Sequence, residues 1–340
     1  MSSQSIETIA GAMVADGKGI LAIDESSPTI KKRFDSIGAE CTEENRRSYR
    51  ELLIAGDGIN EFISGMILYD ETIRQSAGDG TPFPELLASR GIMPGIKVDG
   101  GAKDLAGHPG EKVTEGLDGL RDRLAEYRKL GAPFAKWRAV ITIGDGLPSR
   151  GCIKANCHAL ARYAAMCQEA GMVPMVEPEV LLDGDHSIER CHEVSEATLR
   201  ALFAELYEQR VVLEGTILKA SMVLTGNKRA KRAGVEEVAE RTIQCLENSV
   251  PAALAGVVFL SGGQTPVEAT AHLNTMNAMA RVLPWKLSFS YSRALQEPAL
   301  KAWNGDPANG QAARAALYHR AQLNSAATLG RYEKSMEKAA

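Results

Sequence analysis

The chain has 340 residues, of which 44% are hydrophobic, 24% charged and 5% aromatic, a composition typical of a globular protein with one large core. Its 39 basic and 43 acidic residues leave a formal net charge of −4, which excludes a global attraction to nucleic acid or to an anionic membrane. Any basic cluster is therefore expected to serve a small anion.

Eight short apolar, β-branched runs predict strands over residues 19–24, 63–70, 95–99, 134–141, 173–178, 215–222, 256–262 and 286–291. Between most of them, apolar residues recur at three- and four-residue intervals and predict helices over 117–130, 153–170, 196–209, 235–249 and 266–282. Thr265, Pro266 and Glu268 form a typical start for the last of these helices. Strands that alternate with helices pair in parallel, and eight such repeats favour an α/β fold closed as a (β/α)₈ TIM barrel over an open sheet.

The chain shows no Pro-, Ser- or Gly-rich linker, so residues 1–330 are expected to form a single barrel domain. Residues 331–340 are charged and lack apolar periodicity, which predicts a short flexible tail. The six cysteines have no CxxC spacing and predict reduced, mostly buried thiols. The first residues lack the pattern of a secretion signal, and no apolar run approaches the ~18 residues that cross a bilayer, so a cytoplasmic location is expected.

Ionisable residues within or directly after apolar strands are the informative signal, because an unpaired buried charge is costly. They are Asp24, Lys97, Lys136, Arg138, Glu177, Glu179 and Lys219. Residues two positions apart in a strand share a face, so Lys136 joins Arg138 and Glu177 joins Glu179. Singly, each has an ordinary explanation as an edge lysine, a solvated turn or a helix cap. A closed barrel has no edges, however, and its active site lies at the carboxyl ends of the strands, where these charges fall.

This set of side chains suits amine catalysis by Lys219. An amine attacks a carbonyl only when it is neutral, and Lys136 is the neighbouring cation expected to lower the pKa of Lys219 toward that state. The carboxylates of Asp24, Glu177 and Glu179 are available to protonate a carbinolamine, expel water and carry the proton of an aldol hydroxyl.

Two further clusters predict sites for anions. After the seventh strand, Ser261 and Gly262 open a helix whose first N–H groups can reach an oxyanion, and Arg293 after the eighth strand supplies a bidentate partner. The second cluster follows the first strand and comprises Ser26, Ser27, Thr29, Lys32 and Arg33, together with Lys97. Two such sites beside a reactive lysine imply a bisphosphorylated substrate.

The histidines argue against a metal cofactor. The six of them show neither HxH nor HExxH spacing, so no metal site is expected. His186 and His192 are flanked by charges and are predicted to lie on the surface.

From about residue 9 to residue 332, the chain resembles class I fructose-1,6-bisphosphate aldolase. The matching segments include Asp24-Glu25-Ser26, Thr42-Glu43-Glu44-Asn45-Arg46-Arg47, Gly95-Ile96-Lys97-Val98-Asp99, Phe134-Ala135-Lys136-Trp137-Arg138, Val176-Glu177-Pro178-Glu179, Asp183-Gly184-Asp185-His186, Glu214-Gly215-Thr216, Leu260-Ser261-Gly262-Gly263-Gln264 and Leu300-Lys301-Ala302-Trp303. The resemblance implies a metal-independent lyase, mostly a cytosolic homotetramer, which cleaves fructose 1,6-bisphosphate to dihydroxyacetone phosphate and glyceraldehyde 3-phosphate in glycolysis and gluconeogenesis.

The resemblance also implies roles for single residues. Lys219 would form the imine, Asp24 would act on the C4 hydroxyl proton, and Glu177, supported by Glu179, would be the acid and base of imine formation. Lys136 and Arg138 would position the substrate. One phosphate would lie on Ser261, Gly262 and Arg293, and the other on Ser26, Thr29, Arg33 and Lys97.

Three departures from the family pattern stand out. Ala220-Ser221 follows Lys219 where the animal enzymes have Pro-Asn, and Ser292 precedes Arg293 where a glycine is usual. The sequence ends without the longer tail whose terminal tyrosine assists proton exchange in animal relatives, so that step is expected to use another group or to be slower.

Two other interpretations are a different kind of enzyme and a protein without catalytic activity. Another Schiff-base lyase of barrel fold, such as a transaldolase or deoxyribose-phosphate aldolase, fits two phosphate sites less well. A scaffolding protein that has lost catalysis would not be expected to carry Asp24, Glu177 and Lys219 together. Fructose 1-phosphate stays open as an alternative substrate.

Overall fold

The computed structural model describes residues 4–279 and 281–338. Within these residues the strands are β1 (Gly19–Ile23), β2 (Ile63–Leu68), β3 (Met93–Lys97), β4 (Ala102–Asp104), β5 (Lys112–Thr114), β6 (Phe134–Ile141), β7 (Val173–Val180), β8 (Ile217–Ala220), β9 (Gly256–Phe259) and β10 (Lys286–Tyr291). The α-helices are α1 (Ile6–Met13), α2 (Ser27–Asp35), α3 (Glu43–Ile54), α4 (Asp70–Ile73), α5 (Phe83–Ser89), α6 (Leu120–Lys129), α7 (Arg150–Glu169), α8 (Ile188–Glu208), α9 (Val235–Ser249), α10 (Pro266–Ala278), α11 (Arg293–Trp303) and α12 (Gly310–Thr328).

Eight of these strands close a parallel barrel in the order β1-β10-β9-β8-β7-β6-β3-β2, which confirms the predicted (β/α)₈ architecture. Each barrel strand overlaps one of the eight predicted runs. The predicted sixth strand is too long, because residues Leu213–Gly215 form a 3₁₀ turn before β8 begins. The sequence did not predict the antiparallel β4–β5 hairpin, which lies outside the barrel.

The five predicted helices are present: α9 has the predicted bounds, and the other four differ at one or both ends. Helix α8 begins at Ile188, eight residues before the predicted start at residue 196, because the Ser187 side chain accepts the N–H of Arg190 and caps the helix there. The start predicted for α10 is confirmed, since Thr265 and Glu268 form a reciprocal capping box. That helix ends at Ala278, and Ala280 within the predicted helix lies outside the described residues.

The barrel interior is apolar toward the amino ends of the strands. Phe134 on β6 fills the centre, and its ring occupies the space beside Gly95 on β3, where an added Cβ would lie 2.1 Å from the phenyl Cζ. Helix α1 closes this end of the barrel, with Ile9, Ala10 and Met13 packed into the same buried cluster. The barrel interior at the amino end is therefore a packed core.

Residues 331–338 make specific contacts with α10 and α12. The Tyr332 N–H donates to Asn274 Oδ1 at 2.8 Å, and its hydroxyl donates to Glu337 Oε1 at 2.7 Å. Glu337 also pairs with the buried Arg320 at 2.9 Å. The boundary at residue 330 and the flexibility of 331–340 stay predictions; residues 1–3, 339 and 340 lie outside the described residues.

All six cysteines are unpaired, and five of them are buried, as predicted. In the described part of the chain, no helix combines the length and apolar character required to traverse a bilayer.

Candidate active site

A cavity of about 1010 Å³ opens at the carboxyl ends of the barrel strands. Except for Ser27, every residue that the sequence nominated for catalysis or substrate binding lines it: Asp24, Ser26, Thr29, Lys32, Arg33, Lys97, Lys136, Arg138, Glu177, Glu179, Lys219, Ser261, Gly262 and Arg293. The roles of these residues remain predictions, but the fold brings the whole set to one place.

Strand alternation explains why the charges converge. On β7, Val173 and Met175 belong to the apolar core, and Glu177 and Glu179 continue the same inward face toward the carboxyl end. The parallel register places Arg138 of β6 opposite Glu177. The same inward face therefore changes from apolar to charged along the strand.

Four buried charged side chains form a continuous chain of ion pairs at the floor of the cavity. The Lys219 amine lies 3.0 Å from Glu177 Oε1, and the Lys136 amine lies 3.1 Å from Glu177 Oε2. Lys136 also lies 2.8 Å from Asp24 Oδ2. Each residue is less than one-tenth exposed, so two ammonium groups and two carboxylates balance one another out of water.

The pKa shifts follow from this balance. Burial would raise the pKa of both carboxyl groups, but the positive charges of Lys136 and Lys219 outweigh it and hold the pKa values of Asp24 and Glu177 below their usual range. Burial likewise opposes the charge of Lys136, yet Asp24 and Glu177 raise its pKa above the ordinary value. Lys136 is thus a fixed cation; its predicted effect on the Lys219 amine stays a prediction.

Two cations at the wall of the cavity are held by carboxylates of their own. The Arg138 guanidinium pairs with Glu179. The Lys97 amine pairs with Asp99 at 2.5 Å, and a second Asp99 oxygen accepts the backbone N–H of Arg138 at 3.2 Å. Asp99 therefore holds the Lys97 amine and the backbone of Arg138, a role that the sequence did not indicate although Asp99 ends a matched segment.

The predicted anion site after β9 has the expected backbone. Gly262 and Gly263 adopt positive φ values of 53° and 94°, a conformation that favours glycine and turns the chain into the start of α10. The Arg293 guanidinium reaches this turn, since its Nη2 lies 3.7 Å from the position of a Cβ on Gly263. Behind the turn, Gln264 donates to the Ser261 carbonyl at 3.1 Å and pairs with His272 Nδ1 at 2.6 Å.

The second predicted anion site lies at the amino end of α2. Ser26 occupies the N-cap position, but its hydroxyl makes no capping bond and lies 3.1 Å from the Thr29 hydroxyl. Lys32, also predicted there, lines the same cavity. Arg33 differs in placement, because its guanidinium lies against Ser292 at the end of β10.

Glu25 is a buried residue that the sequence matched but did not assign. Its carboxylate pairs with Arg50 at 2.5 Å and with Arg33 at 3.4 Å. Burial would raise the pKa of Glu25, but the guanidinium groups of Arg50 and Arg33 hold it below its usual range. The position of Glu25 directly after Asp24 at a strand end was the available signal.

The prediction that His186 lies on the surface was wrong. It is only 8% exposed, because the backbone of the loop after β8 packs across it: Gly226 N–H donates to the His186 carbonyl at 3.0 Å. Among the described residues, no three His, Cys, Asp or Glu side chains are arranged to hold a metal ion.

Comparison with known proteins agrees with this geometry. The family model for class-I fructose-bisphosphate aldolase matches residues 5–340. The chain belongs to the class I fructose-bisphosphate aldolases. It is similar to the probable fructose-bisphosphate aldolase class 1 of Xanthomonas campestris pv. campestris, with 62% identity over 98% of this chain and 100% of that protein.

Other aldolases extend the comparison beyond bacteria. The fructose-bisphosphate aldolase of Dictyostelium discoideum is 52% identical over 95% of this chain and 91% of its own. A crystal structure of the Plasmodium falciparum aldolase, in complex with TRAP and a small-molecule inhibitor, superposes with a TM-score of 0.95 at 48% identity and covers 96% of this chain and 95% of its own. Membership of the class makes the chain a metal-independent lyase that cleaves fructose 1,6-bisphosphate reversibly through a lysine Schiff base.

Proposed function

We propose that this aldolase forms its Schiff base at Lys219, with Glu177 as the acid and base of that step. The observation that carries the proposal is the buried chain of ion pairs from Lys219 through Glu177 and Lys136 to Asp24. Glu177 lies 3.0 Å from the amine, within reach to take its proton during attack on the ketose carbonyl. The same carboxyl then protonates the carbinolamine hydroxyl, which leaves as water and yields an iminium.

Asp24 is assigned to the cleavage step. As a base it removes the proton of the C4 hydroxyl, the C3–C4 bond breaks, and its electron pair moves into the iminium to give an enamine. Glyceraldehyde 3-phosphate leaves, and protonation and hydrolysis of the enamine release dihydroxyacetone phosphate. Although burial alone would raise its pKa, the positive charges of Lys136 and Lys219 lower the pKa of Asp24, so the free enzyme holds it as the carboxylate that this step requires.

The remaining charged residues act by position. Lys136 lies between the two catalytic carboxylates and holds both in place. Arg138, paired with Glu179, lies at the cavity wall where the substrate hydroxyl groups pass. Glu179 thereby supports the acid–base work of Glu177 indirectly.

The two predicted anion sites line the same cavity as Lys219 and fit a substrate with a phosphate at each end. Ser261, Gly262 and Arg293 bind one phosphate, and Ser26, Thr29 and Lys97 contribute to the other. Arg33 also serves phosphate binding, from its position beside Ser292. We therefore expect fructose 1,6-bisphosphate to be preferred over fructose 1-phosphate, since the monophosphate leaves one site empty.

The cellular setting is also a proposal. A cytoplasmic homotetramer that serves glycolysis and gluconeogenesis, with no nucleic-acid or membrane partner, is supported by the net charge of −4 and by relatives that include a protein of Arabidopsis thaliana named as cytosolic. Sedimentation analysis that gives a monomer would contradict the tetramer.

Replacement of Lys219 tests the mechanism. Lys219→Ala should abolish cleavage of fructose 1,6-bisphosphate in a coupled assay and leave the circular dichroism spectrum unchanged, while EDTA should not affect the wild type. Lys286→Ala is the matched control, because Lys286 lies at the amino end of the barrel and pairs with Asp16 on the surface. Cleavage by Lys219→Ala near the wild-type rate would refute the assignment.

A further inference from the structure

The side chain of Ser292 lines the same cavity as the two proposed phosphate sites. Its hydroxyl donates to Glu25 Oε1 at 2.8 Å and accepts the Arg33 Nη2–H at 3.2 Å. Ser292 is also the residue directly before Arg293, at the point where β10 ends and α11 begins. The Ser292 hydroxyl thus contacts an arginine of α2, and its backbone leads directly into Arg293, the first residue of α11.

The acceptor of this hydroxyl is itself fixed. Glu25 is only 6% exposed, and its Oε1 also accepts the Gln296 amide at 2.7 Å, while Arg50 pairs with the other oxygen. Glu25 therefore has no room to follow Ser292 if the hydroxyl moves. The Arg33 guanidinium therefore has two partners: the immobile Glu25 carboxylate and the Ser292 hydroxyl at the end of β10.

Backbone geometry alone does not explain a serine at this position. Ser292 has φ −105° and ψ −86°, so the chain has no need for the positive φ that favours glycine. Glycine, which is usual here in the family that the sequence resembles, would leave Arg33 with Glu25 as its remaining partner. The ion pair at 3.4 Å sets distance but not direction, whereas the hydrogen bond to Ser292 also sets direction.

We propose that Ser292 is a positioning residue, whose hydroxyl holds the Arg33 guanidinium at the carboxyl end of β10 so that it joins Arg293 in binding one substrate phosphate. The inference rests on the proposed function, because it takes the cavity to be the site of a sugar bisphosphate. Two guanidinium groups on one phosphate neutralise its charge more fully than one, and Arg33 is ordered before the substrate arrives. The effect is on affinity and not on the chemical step.

The test measures binding and catalysis separately. Hexitol 1,6-bisphosphate lacks a carbonyl, so its dissociation constant, measured by calorimetry, reports phosphate binding without imine formation. Ser292→Ala and Ser292→Gly should each weaken this binding and raise KM for fructose 1,6-bisphosphate by about tenfold, with kcat within about twofold of wild type, as expected for loss of one hydrogen bond to a charged group.

A double-mutant cycle with Arg33→Ala distinguishes positioning from a purely structural role. In the Arg33→Ala background, the additional Ser292→Ala change should alter the hexitol bisphosphate affinity less than about twofold, because the group that Ser292 positions is gone. Ser64→Ala is the matched control: its buried hydroxyl also makes two hydrogen bonds, to the carbonyls of Met13 and Gly19 at the opposite end of the barrel, and its loss should leave the affinity unchanged.

Three results would overturn the inference: an equal loss of affinity in both backgrounds, a fall in kcat without a change in the dissociation constant, or wild-type affinity in both Ser292 variants. Failure of the proposed function looks different. The wild type would then bind hexitol bisphosphate in a Ser292-dependent way, yet Lys219→Ala would cleave fructose 1,6-bisphosphate near the wild-type rate.

Discussion

At the scale of single residues, the site combines charges that would each be costly alone. Asp24, Lys136, Glu177 and Lys219 are all buried, and the successive ion pairs between them span 2.8, 3.1 and 3.0 Å. Removal of one member leaves its neighbour without compensation. Substitutions that keep shape and remove charge are therefore the informative ones.

Asp24→Asn should separate imine formation from bond cleavage. The amide keeps the shape of the side chain but cannot accept the C4 hydroxyl proton, so cleavage of fructose 1,6-bisphosphate should fall by roughly 10²- to 10⁴-fold. Imine formation with dihydroxyacetone phosphate, which has no C4, should persist and be detectable by borohydride reduction. If the Asp24→Asn variant lost both reactions equally, the assignment of Asp24 to cleavage would be wrong.

His272 gives the protein a pH dependence outside the catalytic chain. Burial lowers the pKa of His272 from 6.5 to about 4, and its Nδ1 pairs with Gln264 behind the anion turn. The unfolded chain binds this proton more readily, so the free energy of unfolding should fall as the pH drops from 6.5 toward 4, by about 3 kcal/mol from this group. Urea titrations of wild type and His272→Gln should show this extra slope only in the wild type; parallel pH profiles would contradict it.

Residue chemistry was the part of the site most accessible from sequence. Charged residues such as Lys219 and Glu177 interrupt otherwise apolar strand sequences. The two-residue period of a strand shows which of them share a face. The links from Ser292 to Glu25 and from Asp99 to Arg138 were not predictable, because they join residues far apart in the chain. The burial of His186 was misjudged for the same reason, since it depends on a loop from the next βα unit.

At the scale of elements, the inward faces of the strands determine the barrel. Phe134 reaches across toward β3, and this requires that the facing residue have no side chain. The strands were predictable from short apolar, β-branched runs, but the early start of α8 was not, because it follows from a cap at Ser187 ahead of the periodic pattern. The β4–β5 hairpin was missed because its strands are three residues long.

Gly95→Ala should destabilise the barrel. Its Cβ would lie 2.1 Å from the Phe134 ring, which is fully buried and cannot swing away, so a loss of roughly 1–3 kcal/mol in the free energy of unfolding is expected. Gly11→Ala is the control: nothing lies within 4 Å of its added Cβ on α1, and alanine should stabilise the helix by about 0.5–1 kcal/mol. Equal effects of the two changes in chemical denaturation would contradict this account of the packing.

At the scale of the whole molecule, stability and chemistry occupy opposite ends of the barrel. The amino end is sealed by α1 and filled by Phe134 and Met175, whereas the carboxyl end opens into the charged cavity. Packing at the amino end holds the strands in place. The strands in turn hold the backbones of Lys219, Glu177 and Lys136 in a defined register at the carboxyl end. A barrel with this division can hold four buried charges at its catalytic floor without losing its core.

The central claim is that Lys219 is the nucleophile of this aldolase. Incubation of the wild type with dihydroxyacetone phosphate, followed by borohydride reduction, proteolysis and mass spectrometry, tests it most directly. We expect the enzyme to lose activity and to carry a single reduced adduct, located at Lys219. An adduct on Lys136, Lys97 or any other lysine, with Lys219 unmodified, would contradict it.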